Sequence, residues 1–176
     1  MKKLLFISIC FVLNHFAHAQ TKAIPAQYLA DIENQAGLWI ADNSEFQNAN
    51  EPADKYAIEW KLSPIGNSIV GRLYGLKNQE EIGNYWDFMK YWDPEKGKVV
   101  VLQIGPDGTI GRGELKYLDK NVSELIQVFT NPDGISYKVG HRSHFPTNDM
   151  EIGSSFNISN SGEWLAQRTY TWIRQN

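Results

Sequence analysis

The sequence predicts an all-β protein, an antiparallel meander barrel of about ten strands with a short N-terminal helix. Three observations predict this class. From residue 37 onward, apolar and polar residues alternate with the period of two that is typical of half-buried strands. Short turn sequences rich in Pro, Gly, Asn and Asp separate these runs. A second helical pattern does not appear between them, which argues against a parallel sheet built with crossover helices.

Residues 1–19 have the features of a secretory signal peptide. Lys2 and Lys3 precede an apolar run over residues 4–13, and a small-residue cleavage motif over residues 17–19 precedes Gln20. The run is too short to span a membrane as a helix. We therefore expect cleavage, export to the periplasm or the medium, and no membrane insertion afterwards. The alternatives are an uncleaved anchor or, because of Cys10, a lipoprotein.

The composition of the mature chain excludes several classes. Removing 19 of the 176 residues leaves 157, with 15 basic and 20 acidic residues and therefore a net charge of −5. An acidic balance argues against nucleic acid as a partner. The one cysteine, Cys10, lies in the predicted signal, so the mature domain must be stabilised by its core rather than by disulfides. All six tryptophans lie in the mature part and can fill a core or line a pocket.

The N-terminal segment, residues 20–35, is predicted to contain one helix over residues 25–35. Pro25 suits a first helical turn, and Tyr28, Leu29 and Ile32 share one face. The barrel domain follows over residues 36–176. Its ten strand-like runs are "AGLWIADNSEF", "KYAIEWKLS", "NSIVGRLYGLK", "EIGNYWDFMKYWD", "GKVVVLQI", "GTIGRGELKYL", "VSELIQVFT", "GISYKVGHRSHF", "DMEIGSSFNIS" and "GEWLAQRTYTWIR".

Turn chemistry predicts how these strands connect. Five glycine-containing turns lie at residues 64–67, 93–97, 106–108, 132–134 and 160–162. Such short links join antiparallel neighbours. A flat sheet of ten strands would leave two unpaired edges, and closure into a barrel removes them. A two-sheet sandwich is the alternative architecture.

A Gly-x-Trp sequence at residues 37–39 heads the first strand, and Arg168 lies in the last run, "WLAQRTYTW". With the meander of short hairpins, these features resemble the calycin superfamily, which includes the lipocalins. The segment "YWDPEKGKVVVLQIGPDGTIGRGEL" is similar to bacterial secreted lipocalin-like β-barrel domains of uncharacterised function. The resemblance implies that Trp39 and Arg168 are structural, with Trp39 closing one barrel end and Arg168 packing across its ring.

Strand parity predicts which side chains face the barrel interior. The expected inward rows are Tyr56, Ile58, Trp60 and Leu62; Ile135, Tyr137, Val139, His141, Ser143 and Phe145; and Trp164, Ala166, Arg168, Tyr170 and Trp172. On "SIVGRLYGL" the choice between the row of Leu73 and the row of Arg72 stays open. Ten strands favour a barrel wide enough to leave a cavity rather than a solid core.

An apolar cavity with a few convergent polar groups is typical of a small-molecule site. We therefore expect a small apolar ligand to be bound by Trp60, Tyr137, His141, Tyr170 and Trp172. His141 is the histidine in phase with the apolar row and serves as the expected polar anchor, whereas His144 is out of phase and should face solvent.

The sequence contains few residue patterns that are typical of catalytic or metal sites. His141 and His144 point to opposite faces of a strand and cannot grip one ion together, so no metal or cofactor is expected. Ser154 does not lie in a nucleophile-elbow motif. Glutamates in strand-like runs, namely Glu45, Glu59, Glu114 and Glu124, could in principle meet across a lumen as a carboxylate pair.

Three functions follow from these observations. The first is a secreted module that binds a small apolar ligand in the barrel. The second is an enzyme, an isomerase or hydrolase that uses His141 with a glutamate in the same cavity. The third is a structural or interaction domain with a solid core.

Overall fold

The computed structural model describes residues 22–175, so the predicted signal peptide lies outside the described residues. These residues form one helix, α1 (Ala26–Gln35), and ten strands. The strands are β1 (Gly37–Asp42), β2 (Lys55–Leu62), β3 (Ser68–Lys77), β4 (Glu80–Asp93), β5 (Lys98–Ile104), β6 (Ile110–Asp119), β7 (Val122–Thr130), β8 (Ser136–Thr147), β9 (Met150–Ile158) and β10 (Trp164–Gln175). The predicted fold class is confirmed.

All ten strands belong to one closed antiparallel barrel. Each strand pairs with its neighbours in sequence, and β1 closes the ring by pairing with β10 from Leu38↔Gln175 to Ile40↔Ile173. Closure leaves no unpaired edge, which is why a meander of this width is stable as a barrel and not as an open sheet. The sandwich alternative is wrong.

The predicted turn glycines explain the hairpins. Gly66, Gly97, Gly108, Gly134 and Gly162 all have positive φ. This backbone conformation is nearly free of cost for glycine and strained for other residues. The β3–β4 hairpin is different, since Asn78 and Gln79 adopt positive φ at 52° and 72° without any glycine.

Helix α1 covers one end of the barrel, called the helix end below. Tyr28 and Ile32 are fully buried against the interior residues Ile69 and Val99. The Tyr28 hydroxyl lies 3.2 Å from the carbonyl oxygen of Lys90 on β4. The opposite end, called the loop end, carries the long β1–β2 connection, residues 43–54. Among the described residues, helices long and apolar enough to cross a membrane are not found.

The strand pairing settles which residues face inward: it decides the open choice on β3 and corrects the expectation for β10. On β3 the inward row contains Leu73, which pairs with Ile58, so Arg72 lies outside and forms salt bridges with Glu59 and Glu81. On β10 a register shift between Ala166 and Thr169 changes the facing of the strand. Arg168, Tyr170 and Trp172 therefore face inward as expected, but Trp164 and Ala166 face outward.

The outward position of Trp164 has a clear packing reason. Its ring lies against Gly140 on β8, where a Cβ would come within 2.3 Å, and it meets the Phe156 ring edge to face at 5.2 Å. The Arg142 guanidinium stacks over Trp164 at 4.6 Å from its centroid. Because of the bulge in β10, Trp164 packs on the outer surface of the barrel while Tyr170 and Trp172 face the interior.

Candidate ligand-binding site

The barrel interior contains a cavity of about 300 Å³ that lies between its two ends. Aromatic side chains supply much of its wall: Trp60, Trp86, Phe88, Tyr170 and Trp172. The polar lining residues include Lys90, Gln103, Gln127, His141, Ser143, Glu151 and Ser155. The volume lies at the lower end of the range typical of small-molecule sites, and the mixed lining is of the kind that such sites use.

Glycines in the facing strands make room for the large lining groups. A Cβ at Gly71 would lie 2.4 Å from the Trp60 ring, and a Cβ at Gly113 would lie 2.7 Å from Cγ of Gln127. Because real Cβ contacts are not this short, glycine at these positions is a packing requirement. These glycines within strands therefore set the positions of the wall residues.

Gln127 and His141 lie on one wall of the cavity. Gln127 is fully buried, and neither its amide oxygen nor its amide nitrogen has a partner among the described residues. Nε2 of His141 is likewise buried without a partner in that part of the chain. The two residues are diagonal neighbours on β7 and β8, since Gln127 pairs with Val139 and His141 pairs with Leu125. Diagonal neighbours of this kind have Cα atoms about 7–8 Å apart.

Burial controls the ionisation of two lining groups. It lowers the pKa of His141 to about 4, so the imidazole is neutral at pH 7. It raises the pKa of Glu151 above its ordinary value, against smaller opposing effects of a hydrogen bond from Ser143 and the charge of Lys90. The Ser143 hydroxyl donates to Oε1 of Glu151 at 2.6 Å.

Lys90, the lining cation near the helix end, is paired with side chains of α1. Nζ of Lys90 lies 3.0 Å from Oδ2 of Asp31 and 2.5 Å from Oε1 of Gln35, both on α1. The Tyr117 hydroxyl donates to the same Asp31 oxygen at 2.9 Å. Lys90 is also 5.9 Å from the centroid of the Trp60 ring. Each buried polar group in this network has a partner, which distinguishes it from Gln127 and His141.

Four of the five predicted binding residues line the cavity: Trp60, His141, Tyr170 and Trp172. The fifth, Tyr137, shares their facing but lies at the loop end, 47% exposed and stacked on Phe129 at 5.5 Å. It forms part of the rim rather than the wall, because β8 extends beyond the cavity. His144 is exposed on the outer face.

The expected contact between Trp39 and Arg168 is wrong. The guanidinium over the Trp39 ring belongs to Arg174, at 4.5 Å from the centroid. Arg174 also donates to the carbonyl oxygens of Asn34, Ala36 and Asn148 and so ties the last strand to the end of α1. Trp39 is 2% exposed, and its indole nitrogen donates to the Gln35 carbonyl at 2.8 Å. Trp39 pairs directly with Arg174 across β1 and β10, whereas Arg168 lies further along β10 toward the loop end.

Arg168 organises the loop end instead. Its Nη1 and Nη2 donate to the two carboxylate oxygens of Glu51, at 2.5 and 2.8 Å, in the β1–β2 loop. The hydrogen bond from Arg168 is the main reason that the pKa of Glu51 falls to about 2. The Tyr170 hydroxyl donates to Oδ1 of buried Asn43 at 2.8 Å. This cluster fastens the loop across part of the barrel opening.

The carboxylate pair that the sequence left open does not form among these four glutamates. Glu45 lies in the exposed part of the β1–β2 loop. The other three candidates face outward and form salt bridges with cations on the same or a neighbouring strand: Glu59 with Lys61 and Arg72, Glu114 with Lys98, and Glu124 with Arg142. The glutamate that does line the cavity is Glu151, which the sequence analysis missed.

Groups of three or more histidine, cysteine or acidic side chains positioned to hold a metal ion are not found among residues 22–175. Compared with known proteins, the chain matches no family model and no curated sequence. The candidate site therefore stands on its geometry alone.

Proposed function

We propose that this chain is an exported, lipocalin-like protein that binds one small, mostly apolar molecule inside its barrel. The observation that carries the proposal is the cavity of about 300 Å³, in which aromatic walls surround a few buried polar groups. A barrel with a merely structural role has no need of this space, because unfilled interior volume costs stability. The arrangement of Trp39 beneath Arg174 supports a relation to the calycin superfamily.

Export remains part of the proposal and has its own test. The order of charged, apolar and small residues over residues 1–19 predicts a mature N-terminus at Gln20. N-terminal sequencing of the protein from its native host checks this directly. Retention of Met1 in the mature protein would contradict export by signal cleavage.

Filling the cavity tests the binding function. Leu125 lines the cavity, whereas its neighbour Ile126 points outward and is 36% exposed. We expect naphthalene to bind wild type and the Ile126→Trp variant alike in calorimetric titrations, and Leu125→Trp to lose binding. Native mass spectrometry of the protein from its own compartment should show a retained small mass. If wild type binds no naphthalene and retains no mass, the barrel is a structural or interaction domain.

A second candidate, an isomerase or hydrolase, is favoured by the presence of Glu151 and His141 in one cavity. Burial favours the protonated form of Glu151 and holds His141 neutral, so the cavity contains one candidate proton donor and one candidate base. Turnover of a bound molecule with a bell-shaped pH–rate profile, lost in Glu151→Gln without loss of binding, would establish this function. Binding without turnover supports the binding module.

A further inference from the structure

The amide group of Gln127 is the feature of the cavity that folding alone does not explain. It is fully buried, and its donor and acceptor atoms both lack partners in the described part of the chain. A buried amide without hydrogen bonds is unfavourable, and most buried polar groups in proteins are paired. Gly113 opposite leaves the space that Gln127 occupies, so the side chain is held in place rather than displaced to the surface.

The unpaired atoms define a hydrogen-bonding pattern. An amide offers one acceptor and one donor side by side, and the matching group offers a donor next to an acceptor. Nε2 of His141 lies on the same wall and can accept or donate according to its tautomer. The pattern matches the edge of a cyclic amide, in the way that glutamine recognises the paired donor and acceptor of adenine.

Charge in the cavity argues against an anionic ligand. Lys90 is held by Asp31 and Gln35, and Arg142, the other cation in the lining, is paired with Glu124 on the outer face. A buried carboxylate ligand without a free cation would carry a large desolvation cost. The aromatic walls at Trp60 and Phe88 favour a flat ring.

We propose that the barrel selects neutral ring compounds that carry a lactam edge, which pairs with the Gln127 amide while His141 binds a further polar atom. This inference rests on the proposed binding function and names its ligand class. Gln127 is thus the specificity-determining residue, and the aromatic wall supplies affinity that is independent of the edge.

Three two-ring probes of similar shape test the inference: naphthalene has no hydrogen-bonding atom in its rings, quinoline has an acceptor only, and 2-quinolone has the lactam edge. We expect wild type to bind 2-quinolone about tenfold or more tightly than naphthalene in calorimetric titrations, as two added hydrogen bonds allow. Gln127→Leu should abolish this preference while its naphthalene affinity stays within about threefold. Gln167→Leu, at an exposed glutamine on β10, should behave as wild type.

The outcomes separate the two proposals. If wild type binds naphthalene and 2-quinolone equally, or if Gln127→Leu keeps the preference, the lactam inference is wrong and the binding function stands. If no probe binds wild type, both fail. Retained naphthalene binding by Gln127→Leu shows that the variant is folded, so loss of the preference cannot reflect unfolding.

Discussion

The helix end and the middle of the lumen each bury a glutamine, Gln35 and Gln127, but among the described residues only the side chain of Gln35 is hydrogen-bonded. Gln35 at the helix end accepts a hydrogen bond from Lys90, which also binds Asp31. Gln127 in the middle has no partner for either amide atom among the described residues. Paired buried groups support a unique fold, whereas unpaired ones reduce stability. This difference fits the proposed binding function, in which the Gln127 amide is left available for a ligand.

The largest expected effect is a loss of folding stability at the helix end. Trp39→Ala should lower the free energy of unfolding by about 3–5 kcal/mol, because it empties a fully packed site at the helix end. Trp164→Ala, which removes a partly exposed tryptophan from the outer wall, should cost clearly less. Urea denaturation of both variants measures the difference. Equal losses of unfolding free energy in the two variants would contradict the assignment of Trp39 as a core residue that stabilises the helix end.

The second prediction concerns acid sensitivity in the middle of the lumen. The pKa of His141 falls from 6.5 to about 4 on folding, so the unfolded chain takes up the proton first as pH falls. Stability is therefore fully present above pH 6.5 and declines toward pH 4, by about 3 kcal/mol for this group.

Matched variants isolate that contribution. Burial raises the pKa of Glu151, so this carboxyl group favours the folded state more as pH falls, which is opposite to the effect of His141. Glu151 is present in all the variants compared, so its contribution is common to them. His141→Leu should flatten the acid decline relative to wild type, whereas His144→Leu, at an exposed position, should keep it. Free energies of unfolding at pH 7 and pH 4.5 give the comparison. An unchanged decline in His141→Leu would show that the imidazole is not held in its neutral form.

The smallest expected effect compares the two arginines of β10. Arg174 binds three backbone carbonyls, which do not titrate, and the exposed carboxylate of Asp149, whereas Arg168 binds the Glu51 carboxylate, whose pKa is about 2. An exposed ion pair contributes little, so Arg174→Met should destabilise by about 1–3 kcal/mol with little dependence on pH, as loss of buried backbone partners does. Arg168→Met should cost about 1 kcal/mol at neutral pH, since the pair is partly exposed.

The pH dependence separates the two. The Glu51 contribution is present above pH 4.5 and is lost as pH falls toward 2, so the effect of Arg168→Met should shrink over that range. Denaturation curves at pH 7 and pH 3 for both variants check this. If acid changes the effect of both substitutions equally, the stabilising contribution of Arg168 does not depend on the ionised Glu51 carboxylate.

The fold could be predicted because its signals are local. Alternating residues, glycine turns and the single helical pattern each act over a few residues, and closure follows from the need to remove strand edges. The inward rows of β2 and β8 followed from the same alternation. The placement of His141 inside and His144 outside therefore matches the expected parity.

The errors lie where alternation misleads. The β10 bulge turns Trp164 outward, and a single inserted residue leaves no clear mark in the pattern. Arg174, not Arg168, lies over Trp39 because the pairing of β1 with β10 places it opposite the tryptophan, and this register is a long-range feature that alternation does not reveal. On β9 the apolar row that contains Phe156 faces outward, while Glu151 faces the lumen. A rule that places apolar residues inside assigns such a strand the wrong way round and therefore misses Glu151 as a cavity-lining residue.

Gln127 was missed for a related reason. On β7 the inward row of Leu125 and Phe129 and the outward row of Ile126 and Val128 are equally apolar, so a glutamine between them carries no sign of facing. Only the pairing with Gly113 and Val139 reveals its position in the wall.

The most direct test of the central claim is a pair of identical substitutions, Gln127→Leu and Gln35→Leu, measured by urea denaturation without ligand. Removing an unpaired buried amide should raise the free energy of unfolding by about 1–3 kcal/mol at Gln127. The same change at Gln35 should lower it by a similar amount, because it deprives Lys90 of an acceptor. Destabilisation by both substitutions would contradict the claim that the middle of the lumen gives up stability for binding.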